Sequence, residues 1–241
     1  SISLVTSKDL SFDQLLFLEP PTQKHAHLKL KIYNVDGSLA ENCVNGIRAL
    51  ALYAFDESLV FSNTFILQIE DNLAQITRLQ ENEFAVKMSS FKFTKSSCAI
   101  ADSQELQFNF EGTDIKFYPV SVGNPHAVIF QDSLSDQIPE MGLTLQESNI
   151  YKNGVNVGFV EILNEKEINL RVVERGVGET LACGSGACAA VLSGVKNNLL
   201  QSSVLVNFKK GKLKVEVNLD EEWFNLIGEA KYIEKGIKIN P

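Results

Sequence analysis

Two short segments of this chain share one spaced pattern of residues, and any fold it adopts must accommodate both. The first reads Asn42-Cys43-Val44-Asn45-Gly46-Ile47-Arg48-Ala49 and the second Ala182-Cys183-Gly184-Ser185-Gly186-Ala187-Cys188-Ala189. In each, a small capping-type residue (Asn45, Ser185) stands two positions after the cysteine, with Gly next and Ala three further on. Each leads into an apolar stretch, Gly46 to Phe55 and Gly186 to Asn197, that lacks the polar face of a surface helix. The pattern predicts two buried helices wrapped by sheet. A single cysteine at a helix start packs as a small hydrophobe. Packing does not require the same turn twice, so the repeat points to a duplicated unit with a thiol at the positive end of its helix.

The rest of the chain reads mainly as strands. His27 to Tyr33 sets Leu28, Leu30 and Ile32 against Lys29 and Lys31, the period of two of a half-buried strand. Similar runs are expected at Thr64–Glu70, Ala74–Leu79, Phe84–Met88, Lys116–Val120, Ala127–Phe130, Val155–Leu163, Ile168–Val173, Val204–Phe208, Leu213–Leu219 and Lys231–Ile239. Turn pairs such as Asp36-Gly37, Asn153-Gly154 and Lys210-Gly211 separate many of them.

Composition removes several classes of function. Over 241 residues, 44% hydrophobic and 22% charged content is that of a chain able to bury a core. No apolar run approaches the ~18 residues of a bilayer span. A net charge of −8 argues against a nucleic-acid or anionic-membrane surface, and the lysines at 209, 210, 212 and 214 alternate with apolar residues as a solvated strand face does. Four cysteines are too few for a disulfide scaffold of this size, and Ser1-Ile2-Ser3-Leu4 has no export signature. Reduced thiols in a cytoplasm are the expectation. Cys183 with Cys188 lacks a matching ligand pair, so no metal site is expected. Without a Walker lysine or a GxGxxG after a strand, no nucleotide site is expected either.

A helix N-terminus offers unpaired N–H groups and partial positive charge, which hold a carboxylate and can lower a thiol pKa from about 8.5. Two such turns suit a small carboxylate substrate. One sulfur removes a proton from carbon and the other returns one to the opposite face, so racemisation or epimerisation needs no cofactor. The same residues leave other readings open: a Cys–His hydrolase using Cys183 and His126, or an oxidation-prone Cys43–Cys183 disulfide. His126, in Gly123-Asn124-Pro125-His126, either lines a site or is a core residue. Glu174-Arg175 is either a surface ion pair or a clamp in which Arg175 takes a carboxylate and Glu174 an ammonium.

The run from Arg171 to Ala190, containing Glu174-Arg175-Gly176-Val177-Gly178-Glu179-Thr180 and Ala182-Cys183-Gly184-Ser185-Gly186, closely resembles the signature of diaminopimelate epimerases. Phe12-Asp13-Gln14-Leu15-Leu16, Tyr33-Asn34-Val35-Asp36-Gly37-Ser38, Gly123-Asn124-Pro125-His126 and Asn156-Val157-Gly158-Phe159 resemble further blocks in the family's order. The resemblance implies an α/β fold of two pseudo-symmetric units, each a curled mixed or mostly antiparallel sheet around a central helix, with the active site in the cleft between them. It implies interconversion of LL- and meso-diaminopimelate for lysine and peptidoglycan precursors, without pyridoxal phosphate or metal. By the same resemblance Cys43 and Cys183 are the acid/base pair, and His126 and Glu174 influence their protonation. Gln14, Asn34, Val44, Asn45, Asn124, Asn156, Glu174 and Arg175 then line the substrate, and the N–H groups of Gly184 and Ser185 hold its reacting carboxylate. The implied partner is a small amino acid rather than nucleic acid or membrane, and a homodimer is compatible with it.

The units are expected at 1–88 plus 230–241 and at 89–229, with the last strand returning to the first. Two departures from the family pattern bear on activity. Its opening strand and Gly-Leu-Gly-Asn-Asp-Phe stretch have no counterpart here, where Ser1 falls within the family's first helix. Val44 replaces the glycine after the first cysteine, and a β-branched residue tolerates φ > 0 poorly and crowds an approaching carboxylate. These departures leave two alternatives: a weakened or inactive member that binds without turnover, and a related two-thiol amino-acid racemase.

Overall fold

The computed structural model describes residues 14–34, 37–39 and 43–233. The chain divides into two compact units, one running to Met88 and resuming at Gly228, the other Ser89–Ile227.

In the first unit, alternating apolar residues build β1 (Gln14–Glu19), β2 (Leu28–Asn34), β3 (Thr64–Ile69), β4 (Asn72–Gln80) and β5 (Glu83–Met88). They lie in chain order. β1–β2, β3–β4 and β4–β5 are antiparallel, and β2–β3 is parallel. A parallel step needs a crossover, and here it is α1 (Val44–Asp56), which packs on β5 and β1.

The second unit begins with a two-stranded ribbon of β6 (Gln107–Phe110) and β7 (Thr113–Lys116). Its main sheet contains β8 (Tyr118–Ser121), β9 (Pro125–Gln131), β10 (Asn156–Asn164), β11 (Glu167–Glu174), β13 (Ser203–Phe208), β14 (Gly211–Asn218) and β15 (Trp223–Glu229), of which Gly228 and Glu229 already belong to the first unit. The short β12 (Gly178–Thr180) folds back on β11. Two helices, α2 (Ile138–Glu147) and α3 (Gly184–Lys196), cover the sheet. On β11, Val173 lies against Gly142 of α2, where an added Cβ would stand 2.6 Å from its Cγ2. The adjacent Val172 lies against Gly186 of α3. Successive strand residues face opposite sides, so the sheet is sandwiched between the helices. Burial on both faces explains why Asn156–Val160 is buried without alternation.

The duplication read from the cysteine turns extends to the topology. The series β1, β2, α1, β3, β4, β5 is matched by β10, β11, α3, β13, β14, β15. Each pairs antiparallel, then parallel across a 13-residue helix, then antiparallel twice.

Three expectations need correction. The run Lys116–Val120 is two strands, because Thr113–Lys116 pairs in the ribbon and Tyr118–Ser121 in the main sheet, with Phe117 fully buried at the junction. The expected last strand at Lys231–Ile239 is not one over Lys231, Tyr232 and Ile233, and its remainder lies outside the described residues. A tight turn after β14, with Glu222 at φ 55, brings Trp223–Glu229 into that pairing first. Finally, α1 is not free of an exposed face: Ala49, Tyr53 and Asp56, one stripe at i, i+4 and i+7, face solvent. Ala and Tyr on that stripe made it read as apolar.

The sequence reading also passed over α2, whose buried Ile138, Met141, Gly142 and Leu145 follow i, i+3, i+4, i+7 with Pro139 in the first turn. Among the described residues no helix is long and apolar enough to cross a membrane.

Candidate active site

Both cysteine turns resolve into the same local device. Cys43 is the N-cap of α1, and its Sγ accepts from the N–H of Gly46 at 3.2 Å. Cys183 is the N-cap of α3, and its Sγ accepts from the N–H of Gly186 at 3.4 Å. Each thiol therefore takes the role usually filled by a Ser, Thr or Asp oxygen. The glycines serve packing more than ligand approach. A Cβ on Gly46 would sit 2.9 Å from Leu16 Cδ2 and 3.2 Å from Cys43 Sγ. One on Gly186 would sit 3.0 Å from Val172 Cγ2 and 3.3 Å from Cys183 Sγ. Glycine lets the first helical turn press against a strand while the thiol keeps its cap.

In the first unit, Gln14 at the start of β1 is directly opposite Asn34 at the end of β2. Gln14 donates through Nε2 to Asn34 Oδ1 at 3.1 Å, and Asn34 Nδ2 donates to Ser38 Oγ at 3.0 Å. Gln14 shares its face of β1 with Leu16, which touches Gly46. The two amides thus stand one pair beyond the contact that seats the α1 N-terminus. Asn45 Oδ1 accepts from Arg48 Nη2 at 2.8 Å, and buried Arg48 also donates to the Glu229 carbonyl.

In the second unit the register assembles residues scattered through the sequence. His126 pairs with Asn156 across β9 and β10, and Val157 pairs with Val173 across β10 and β11. One step from that pair, His126, Asn156 and Glu174 form a row across three strands. Glu174 shares its face with Val172, the face packed on α3, and its negative charge acts on the Cys183 thiol. Ser185 Oγ lies 3.5 Å from the same sulfur. Asn156 is 5% exposed and holds the row together, accepting from Arg175 N–H at 3.0 Å and donating to the Pro125 carbonyl at 3.3 Å. Arg175 donates through Nη1 to the Asn153 carbonyl, and Gly154 at φ +73 leaves room for its side chain.

Burial pushes the Cys183 thiol up from 9.0 to about 12, and the negative charge of Glu174 adds to the effect, against weaker opposing bonds from Ser185 and Gly186. The resting group is the thiol. Burial also drives His126 down to about 3, helped by the positive charge of Arg175, so its ring is neutral at pH 7. Its Nε2 and Asn124 Oδ1 lie 3.1 Å apart and share a hydrogen. Among the described residues no three His, Cys, Asp or Glu cluster in a way that could hold a metal ion.

Comparisons with known proteins identify the family of the chain. A family model described as diaminopimelate epimerase matches residues 118–233. A curated diaminopimelate epimerase of Teredinibacter turnerae is 34% identical over 228 residues, covering 93% of this chain and 83% of that protein. One from Acinetobacter baumannii is 37% identical over 212 residues, covering 86% of this chain and 75% of the relative. The chain belongs to the diaminopimelate epimerase family. As a member of that family it is an isomerase of the epimerase type.

Solved structures that share the fold are more distant. A hydroxyproline epimerase from Agrobacterium vitis aligns with a TM-score of 0.67 at 12% identity, covering 90% of this chain and 71% of the other. A phenazine biosynthesis PhzF family protein from Enterococcus faecalis aligns at 0.61 with 15% identity, covering 97% and 84%.

Within this epimerase-family chain, the structure brings together Gln14 and Asn34 in one unit, and Asn124, His126, Asn156, Glu174, Arg175, Cys183 and Ser185 in the other. Phe12 and Asp13 of the first resembling block lie outside the described residues, as do Val35, Asp36 and Asn42. One expectation about Val44 fails. It is the first residue of α1, absent from the residues with positive φ, and its side chain is 2% exposed. Gly184, at the matching position, does not use positive φ either. The helical N1 position suits a β-branched residue, so the backbone of the first turn carries no strain from the substitution. Sequence reasoning missed Arg48, although its i, i+3 spacing from Asn45 signals the contact. It also missed Thr180, whose hydroxyl donates to Glu174 Oε1 and for which no local pattern existed.

Proposed function

We propose that this protein interconverts LL- and meso-diaminopimelate through Cys43 and Cys183, in the supply of lysine and peptidoglycan precursors. The observation that carries the reading is the repeated device: two thiols, each capping a 13-residue helix within the same strand–helix–strand frame. In one direction a Cys43 thiolate takes the α-proton while the Cys183 thiol donates its own to the opposite face of the α-carbon. In the other direction the roles exchange, and Glu174 beside Cys183 adjusts its readiness to give or take the proton. N–H groups at the helix starts, Gly184 and Ser185 among them, stabilise charge building on the reacting carboxylate. Gln14, Asn34, Val44, Asn45, Asn124, Asn156 and Arg175 line the remaining polar ends, and His126 adds a neutral neighbour rather than a second charge. No cofactor enters this scheme. In this reading the enzyme is cytoplasmic, and a second copy of the chain is a candidate partner.

The test is proton NMR of each stereoisomer in D₂O with reduced protein. Wild type should lose the α-proton signal of both isomers. Cys43→Ala and Cys183→Ala should each abolish net epimerisation and confine any exchange to one isomer. Equal exchange of both isomers by either variant would sink the two-thiol scheme.

A further inference from the structure

The hairpin that links β11 to Cys183 is anchored on one side of the sheet and makes a specific bond on the other. Across β11 and β12, Val173 is opposite Glu179 and Val172 is opposite Thr180. Alternation sends Glu179 to the α2 side of the sheet and Thr180 to the α3 side. On the first side, Arg171 grips Glu179 with two parallel bonds, Nε to Oε1 at 2.7 Å and Nη2 to Oε2 at 2.9 Å. Lys209 reaches the same carboxylate at 2.9 Å. The Arg171 and Lys209 hydrogen bonds hold Glu179 down at about 2, so this anchor stays charged across the working pH range. On the other side, Thr180 Oγ1 donates to Glu174 Oε1, and Glu174 is the carboxylate against Cys183. In the first unit Asn34, at the position matched to Glu174, donates to Ser38 instead.

We infer that Thr180 is a positioning residue of the epimerase reaction: the anchored hairpin presents its hydroxyl to Glu174 and so fixes that carboxylate against the Cys183 thiol. The inference rests on the proposed two-thiol chemistry. A carboxylate at the end of a strand has free rotamers, and one donated hydrogen bond from a rigid hairpin selects among them. The other groups around Cys183 do not duplicate the role. Ser185 and the Gly186 N–H address the sulfur itself, and the ring of His126 is tied to Asn124.

The test compares Thr180→Val, which keeps the shape and removes the hydroxyl, with Thr180→Ser, which does the reverse. In steady-state epimerisation of diaminopimelate, T180V should lower kcat about tenfold to a hundredfold with KM within about twofold of wild type. T180S should recover most of the loss. A T180V enzyme with wild-type kcat overturns the inference, as does a T180S enzyme as impaired as T180V, since packing of the methyl would then be the cause. If wild type itself leaves diaminopimelate unchanged, the proposed substrate fails, and crystal structures of wild type and T180V still decide the positioning role. Glu174 turned away from Cys183 in T180V supports it, and Glu174 unmoved overturns it.

Discussion

The two cysteine-capped helices are one local solution placed in two environments. Cys43 and Cys183 cap α1 and α3 through the same bond to the third N–H group, and glycine stands at that position in both. The surroundings then diverge at matched points. The strand that leads toward the helix ends in Asn34 in one unit and Glu174 in the other, each with an amide opposite it, Gln14 or Asn156. Val44 is matched by Gly184 and Asn45 by Ser185. Cys43 is half-buried, whereas Cys183 is 5% exposed on a helix buried through Gly194. Cap geometry therefore comes with the turn, while the acidity of Cys183 is set first by its burial and then by the Glu174 carboxylate, which together hold it protonated.

The sharpest way to break this asymmetry is Glu174→Gln, which gives the second site the neutral amide of the first. It should lower kcat by about 10²-fold or more, the usual share of a positioned proton-transfer partner, and a steady-state assay in both directions measures it. Asn34→Ala, at the matched point, should act mainly on KM. Val44→Gly tests the other divergence. Removing a buried side chain and putting glycine in a helix should cost roughly 2–4 kcal/mol in urea unfolding. Because the native backbone there is unstrained, kcat should not rise, and a clear gain in turnover would show that Val44 obstructs the first site.

A smaller contrast concerns the glycines. Gly186→Ala meets Val172 Cγ2 at 3.0 Å in a fully buried layer, and should cost about 1–2 kcal/mol net of the helix propensity gained. Gly46→Ala meets the flexible end of the Leu16 side chain at 2.9 Å and Cys43 Sγ at 3.2 Å, and should cost less by the same measurement. A further contrast is in the pH dependence of stability. With Cys183 raised from 9.0 to about 12, the folded state holds the proton more tightly than the unfolded chain. Its contribution is complete below pH 9 and is lost as pH rises toward 12. Between pH 8 and 10 the loss should be roughly 1 kcal/mol, and Cys183→Ala should lack that part of the slope. His126 has the opposite sign. Its depressed value of about 3 means stability is lost as pH falls from 6.5 toward 3, and His126→Gln should flatten that acid limb.

The turns at Cys43 and Cys183 were legible because a capped helix start is written in consecutive residues, and most strands followed from alternation. The row of His126, Asn156 and Glu174 was not, since no spacing along the chain reveals which strand lies beside which. The same limit hid Thr180, whose partner is chosen by hairpin register, and misplaced the last strand, where two segments alternated and the tight turn before Trp223 decided between them.

By itself, then, the sequence determined a duplicated, sheet-rich chain with a thiol at the start of each central helix, because periodicity, capping and repetition are local properties. Only the tertiary structure decided that the two thiols differ. Burial and the carboxylate that faces a sulfur depend on strand register and on which layer covers the helix, and these are properties of packing rather than of neighbouring residues.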